Sequence, residues 1–215
     1  MMDTGSPLPV VVLISGSGSN LQALIDAAAG DEPFRIVGVI SNRPAVLGLQ
    51  RAQAAAIPTR VVDHTAFPDR DSFDAALADA IEAFGPRLVI LAGFMRILTP
   101  AFVARFSGRM LNIHPSLLPA FQGLHTHRRA LQAGVEEHGA SVHFVTSELD
   151  GGPVIAQARV PVHHSDNETQ LAARVLEREH QLLPRVVGWF ARGQLALRDD
   201  RVWFDGRPLQ APIQC

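Results

Sequence analysis

The sequence predicts a doubly wound α/β fold built on a mostly parallel sheet, and three features predict it. Short, continuous runs of β-branched and aliphatic residues recur along the chain. Amphipathic helical stretches alternate with them up to about residue 106. A glycine-rich turn joins the first such run to the first helix.

Val10 to Ile14 is apolar at every position, as expected of a strand covered on both faces. It runs into Ser15-Gly16-Ser17-Gly18-Ser19-Asn20, and a helix is expected from there through Ala29. Ile36 to Ile40 reads as a second strand, Val46 to Ala56 as a second helix and Thr59 to Val62 as a short third strand. Phe73, Ala76, Leu77, Ala80, Ile81 and Phe84 fall at helical spacing, so residues 71–84 form a helix with one apolar stripe. Gly85-Pro86 stops it, and Leu88 to Leu91 is the next buried strand. Met110 to Ile113 is a further strand, followed by a proline-punctuated loop over 115–126 and a helix over about 127–134. Two strands, 140–146 and 153–160, flank the turn Asp150-Gly151-Gly152-Pro153. A long helix over about 167–191 holds Pro184, which should kink it. Leu195 to Leu197 and Val202 to Phe204 close the chain as a hairpin.

No repeat, low-complexity tract or linker divides these 215 residues, so one continuous domain is expected. Its N-terminal half spans about 8–108 and its C-terminal half about 109–205. A net charge of -2 gives no electrostatic footprint for nucleic acid. The apolar run at the N-terminus is too short for a membrane span and has no basic residue before it, so a cytoplasmic protein is expected. The lone cysteine, Cys215, cannot build a disulfide framework or a cysteine zinc site. All 19 basic residues are arginine, and tyrosine is absent. A lysine Schiff base, a P-loop lysine and a tyrosine acid are therefore excluded, and proton transfer falls to histidine or a carboxylate.

Three places carry chemistry. Gly16 and Gly18 open a helix after a strand, but Leu21 stands where a dinucleotide fingerprint needs its third glycine. The second strand also ends in Ser41-Asn42 rather than an acidic residue. A phosphate monoester fits this turn better than NAD, bound by backbone N–H groups at a helix N-terminus. Ser19 and Asn20 can cap that helix or reach the phosphate. In Leu111-Asn112-Ile113-His114-Pro115, Asn112 and His114 lie two apart on a strand and share a face at its end. An amide donor beside an imidazole suits acyl transfer, one stabilising an oxyanion and the other moving protons. Asp150, in a glycine-rich turn, is the carboxylate that could orient His114, although by itself it reads more readily as a plain turn aspartate. His125 and His127 alternate as metal ligands can, yet no cysteine or carboxylate accompanies them at metal spacing, so no metal is expected. His163-His164 read as solvated loop residues.

Taken together, these segments resemble the folate-dependent glycinamide ribonucleotide formyltransferases. The resemblance rests on Val12 to Gly16, Gly18 to Ala23, Leu91 to Leu98, Leu111 to Pro119, Gly123 to His127, Ser141 to Val145 and Glu148 to Ile155. It implies the formyltransferase fold with a Rossmann-like N-terminal half, and formyl transfer from 10-formyltetrahydrofolate as co-substrate to glycinamide ribonucleotide. It further implies no metal, nucleic-acid or membrane partner, and a monomer or homodimer. Carried over by position, Asn112, His114 and Asp150 would be catalytic. Gly18, Ser19, Asn20 and Glu179 would bind the ribonucleotide, Glu179 through the ribose hydroxyls. Arg70, Met95, Arg96, Ile97, Leu98, Val145 and Asp150 would face the folate.

Glu179 also falls in line with Val175, Leu182 and Val186 on the apolar stripe of its helix, where a carboxylate needs a partner. A ligand hydroxyl or Arg174 could supply one. The chain departs from the family at Ala120 and Gln122, where a basic residue and a second proline are common, and at Ser147, usually acidic. Methionyl-tRNA formyltransferases and formyltetrahydrofolate hydrolases share the Asn-x-His core, but would be expected to carry an extra tRNA-binding or regulatory domain.

Overall fold

The computed structural model describes residues 6–215. Eight strands form one sheet in the order β11-β7-β6-β5-β4-β1-β2-β3, and β8, β9 and β10 form a small second sheet. The strands of the first are β1 (Leu8–Ile14), β2 (Phe34–Ser41), β3 (Thr59–Val61), β4 (Leu88–Leu91), β5 (Met110–His114), β6 (Glu137–Phe144), β7 (Val154–Pro161) and β11 (Ile213–Gln214). β1 lies mid-sheet because its side chains pack on both faces. Val10, Val12 and Ile14 belong to one core cluster and Val11 and Leu13 to the other, as alternation requires.

Helices cover both faces. α1 (Ser19–Ala28), α2 (Leu47–Ala54), α5 (Thr126–Ala133) and α6 (Glu168–Ala191) contribute to the first cluster. α3 (Arg70–Glu82) and α4 (Pro100–Arg105) contribute to the second, with Phe73, Leu77, Ile81 and Phe102 turned inward. Each fully buried Leu or Phe of these stripes contributes about 1.5–3 kcal/mol. α4 is absent from the sequence reading, although Thr99 caps it through Phe102 N–H and Pro100 occupies its first turn. Six residues are too few to show a helical period.

The parallel half runs β3-β2-β1-β4-β5, while β6 is antiparallel to both β5 and β7. β6 begins at Glu137, earlier than its apolar run suggests, because pairing with β7 recruits Glu137, His138 and Gly139. Val145 and Thr146 then leave the sheet for the loop that carries Asp150. α6 starts with a capping box between Asn167 and Gln170, and it continues through the buried Pro184 to Ala191. β8 (Leu195–Arg198) and β9 (Arg201–Phe204) form the expected hairpin, turned by Asp199 and Asp200 at positive φ. β10 (Arg207–Pro208) and β11 lie beyond the expected elements.

The chain enters the sheet at β1, adds β2 and β3 on one side and crosses to β4 on the other. The strand order therefore reverses between β1 and β4. The carboxyl ends flanking such a switch point form a natural ligand crevice.

Candidate active site

Two cavities open along that edge. The first, of about 300 Å³, is lined by Ser15 to Asn20 from the glycine turn, by Arg43 after β2, and by Ala92, Gly93 and Met95 after β4. Gly18 sits at φ 70, and a Cβ there would lie 2.5 Å from the Cα of Gly48. Glycine is thus required for conformation and for the close approach of α2. α1 has no side-chain cap and no acidic residue in its first turn. Its leading N–H groups have no partner within the helix, which suits an anion.

Neither Ser19 nor Asn20 caps α1. The Asn20 side chain instead donates from Nδ2 to Glu179 Oε2 at 2.6 Å, and Asn20 Oδ1 is buried without a hydrogen-bond partner. Arg174 is committed to Asp166, at 2.7 and 2.8 Å, so it does not neutralise Glu179. Burial raises the Glu179 pKa, with the Asn20 hydrogen bond opposing. A buried carboxylate and a buried acceptor without a partner thus lie side by side at the start of α1.

The second cavity, of about 120 Å³, is walled by Leu91, Phe94, Arg96, Ile97, Leu98 and Val103 on one side. Asn112, His143 and the 145–150 loop form the other. Residues 91–98 thus separate the cavities, alternate parts of one loop facing each. Asn112 is paired with His143 across the β5–β6 register, and its Nδ2 lies 3.0 Å from His143 Nε2. His143 Nδ1 lies 2.9 Å from the Phe144 carbonyl, which only accepts, so the proton sits on Nδ1 and Nε2 accepts from the amide. Burial pushes the His143 pKa down, consistent with a neutral ring. This fixes which way the Asn112 amide points.

His114 is buried at the tip of β5. Its Nε2 donates to the Phe121 carbonyl at 3.0 Å, and its Nδ1 faces Asp150 Oδ2 at 3.5 Å. Asp150 reaches the imidazole from a left-handed conformation, φ 49, which aspartate tolerates better than most residues. Gly152 lets the loop close: a Cβ there would fall 1.8 Å from the Phe144 carbonyl oxygen. Asp150 Oδ2 accepts from Gly123 N–H at 2.9 Å, and Asp150 Oδ1 lies 3.8 Å from His143 Nε2. One carboxylate therefore faces both imidazoles and holds the 115–126 loop.

Comparison with known proteins decides the family. The formyl transferase family model matches residues 8–187. The chain belongs to the formyl transferase family. This formyltransferase is 53% identical over 201 residues to phosphoribosylglycinamide formyltransferase of Escherichia coli strain K12, covering 93% of this chain and 95% of that protein. It is 47% identical over 192 residues to the bovine trifunctional purine biosynthetic protein adenosine-3, covering 89% of this chain and 19% of that one. The solved phosphoribosylglycinamide formyltransferase of Coxiella burnetii superposes with a TM-score of 0.94 at 50% identity, covering 97% of this chain and 99% of that one.

Other expected site residues of this formyltransferase fall in varied places. Arg96, Ile97, Leu98, Val145 and Asp150 line the second cavity. Met95, expected with them, is 60% exposed and lines the first cavity instead, because its backbone N–H is held by Ser15 Oγ at 2.8 Å. Arg70 is exposed at the start of α3 and lines neither cavity, since the helix points its apolar stripe, not its first residue, at the sheet. Sequence reasoning assigned no role to His143, to the Phe121 carbonyl or to the Gly123 N–H. His143 lay within a matched segment, but only the antiparallel register reveals that it faces Asn112. Gln122, one of the departures, donates to the Asp150 carbonyl at 3.2 Å and so ties the two loops together. Ser147 is exposed at the rim. Among the described residues, no group of three or more His, Cys, Asp or Glu is placed to hold a metal ion. Among the described residues, no helix is long and apolar enough to cross a membrane.

Proposed function

We infer that the chain transfers the formyl group of 10-formyltetrahydrofolate to the amine of glycinamide ribonucleotide, in purine biosynthesis. The observation that carries the site assignment is the 3.5 Å approach of Asp150 Oδ2 to His114 Nδ1, beside Asn112 in the cavity wall.

In this reading the first cavity takes the ribonucleotide, its phosphate on the Gly18 to Asn20 backbone and its ribose hydroxyls on Glu179 and the free Asn20 Oδ1. The second takes the folate. The substrate amine attacks the formyl carbon across the 91–98 loop, giving a tetrahedral intermediate. The free amide N–H of Asn112 donates to its oxyanion, and the positive charge of protonated His114, whose ring nitrogens face the Phe121 carbonyl and Asp150, stabilises it through space. The carbon–N10 bond then breaks, the amine loses one proton and N10 gains one, relayed by His114 or an ordered water. Asp150 orients the imidazole and balances charge on it. No covalent enzyme intermediate is required, and holding both substrates together supplies much of the acceleration.

The test combines mutation with product analysis. His114→Ala and Asp150→Asn should each fold yet lower kcat by about 100-fold or more, with the KM for both substrates little changed. Near-wild-type turnover in both variants would remove these residues from the chemistry. Release of formate without formylated ribonucleotide would identify a hydrolase instead.

A further inference from the structure

We propose that Arg43 supplies the positive charge that binds the phosphate of the ribonucleotide substrate. This rests on the reading that the glycine turn holds that phosphate.

Among the described residues Arg43 is the only charged one lining the first cavity, and lysine is absent from the chain. A phosphate monoester carries a charge of about -1.5 to -2 at neutral pH. The helix N-terminus offers the equivalent of about half a positive charge, so backbone dipoles leave most of the dianion unbalanced. A cation nearby would balance the remaining charge, and the surrounding serines cannot provide one.

Several other arginines are engaged elsewhere. Arg51 stands behind the same turn, donating to the Ser17 carbonyl at 2.9 Å and to Gln22, and so buttresses the loop. Arg105, Arg128, Arg159 and Arg192 pair with carboxylates. The Arg43 guanidinium has no hydrogen bond or ion pair among the described residues, although its backbone is firmly held. Ser41 Oγ donates to the Arg43 carbonyl at 2.7 Å and accepts from its N–H at 3.1 Å. Asn42, fully buried, accepts from Ser15 Oγ at 2.5 Å, tying this segment to the end of β1. Pro44 follows and restricts the Arg43 backbone further. A fixed backbone beside the turn, carrying a free planar donor fork, is suited to a phosphate that arrives with its ligand.

The experiment compares glycinamide ribonucleotide with its phosphate-free ribonucleoside as acceptor, using the full-length wild type, Arg43→Gln and Arg43→Lys. The wild type should prefer the phosphorylated acceptor strongly in kcat/KM. Arg43→Gln should raise the KM for the ribonucleotide about tenfold or more, leave the KM for the folate unchanged, and leave kcat/KM for the ribonucleoside within about twofold. Arg43→Lys should recover part of the loss. Equal losses on both acceptors, or an unchanged ribonucleotide KM in Arg43→Gln, would overturn the role of Arg43 while leaving the turn as the phosphate site. If the wild type does not distinguish the two acceptors, the phosphate reading of the turn fails and Arg43 with it.

Discussion

Glu179, proposed above to hold the ribose hydroxyls, is a buried carboxylate without a cationic partner. It is 7% exposed and its hydrogen-bond partner is the neutral Asn20 amide. Burial raises its folded pKa above the ordinary 4.5. The fold therefore binds this proton more tightly than the unfolded chain does. The resulting stabilisation is present below about pH 4.5 and is lost as pH rises through the folded pKa. Glu179→Gln keeps an acceptor for Asn20 and removes the charge. Its melting temperature should exceed that of the wild type at pH 7–8, the gain shrinking toward pH 4, while the KM for the ribonucleotide rises several-fold. A variant with unchanged KM would detach Glu179 from the substrate. Asn112 and His114, by contrast, were legible as a pair from spacing alone, because strand alternation is a local rule. Which amide proton Asn112 leaves free was not, since His143 decides it from the neighbouring strand.

At the scale of elements, α5, β6 and the 115–126 loop meet around His138. This residue is buried, with the rings of His127 and Phe121 set edge-on at 5.2 and 5.8 Å. The same Phe121 accepts from His114 through its carbonyl, so His138 underpins the 115–126 loop. Burial, then the charges of His127 and His114, lower its pKa from 6.5 to about 4. A folded pKa below the unfolded one gives stability that is full above pH 6.5 and falls as the pH drops toward 4. That difference amounts to about 3 kcal/mol. His138→Leu should flatten the decline of melting temperature between pH 6.5 and pH 4, as followed by thermal melts. Parallel profiles for the two proteins would show that another group governs acid unfolding. Helices long enough to show their period, such as α3 and α6, were readable in advance. α4 was hidden by its length, and the start of β6 by its polar residues, which join the sheet through pairing rather than through hydrophobicity.

At the scale of the molecule, the two cavities share one wall and one anchor. Ser15 Oγ, at the end of β1, accepts from Met95 N–H at 2.8 Å and donates to Asn42 Oδ1 at 2.5 Å. It thereby joins the ends of β1 and β2 to the 91–98 loop, which faces both substrates in the proposed reading. Ser15→Ala leaves a buried acceptor and a backbone donor unpaired, at a cost of about 1–3 kcal/mol. The expected result is a rise in KM for both substrates together, measured by varying each at saturation of the other. A rise confined to one substrate would show that the anchor serves only its own cavity.

The sequence by itself determined the alternation of strands and helices, the glycine turn, the Asn-x-His pair and the family, because each is written in residues close together along the chain. Only the tertiary structure decided that Asp150 meets His114 and His143, that Met95 faces the first cavity, and that Arg70 faces neither. Those outcomes depend on strand order, on the antiparallel turn of β6 and on how tightly glycines let loops close. Such contacts join distant positions whose meeting is set by the packing of the whole sheet, which local periodicity does not encode.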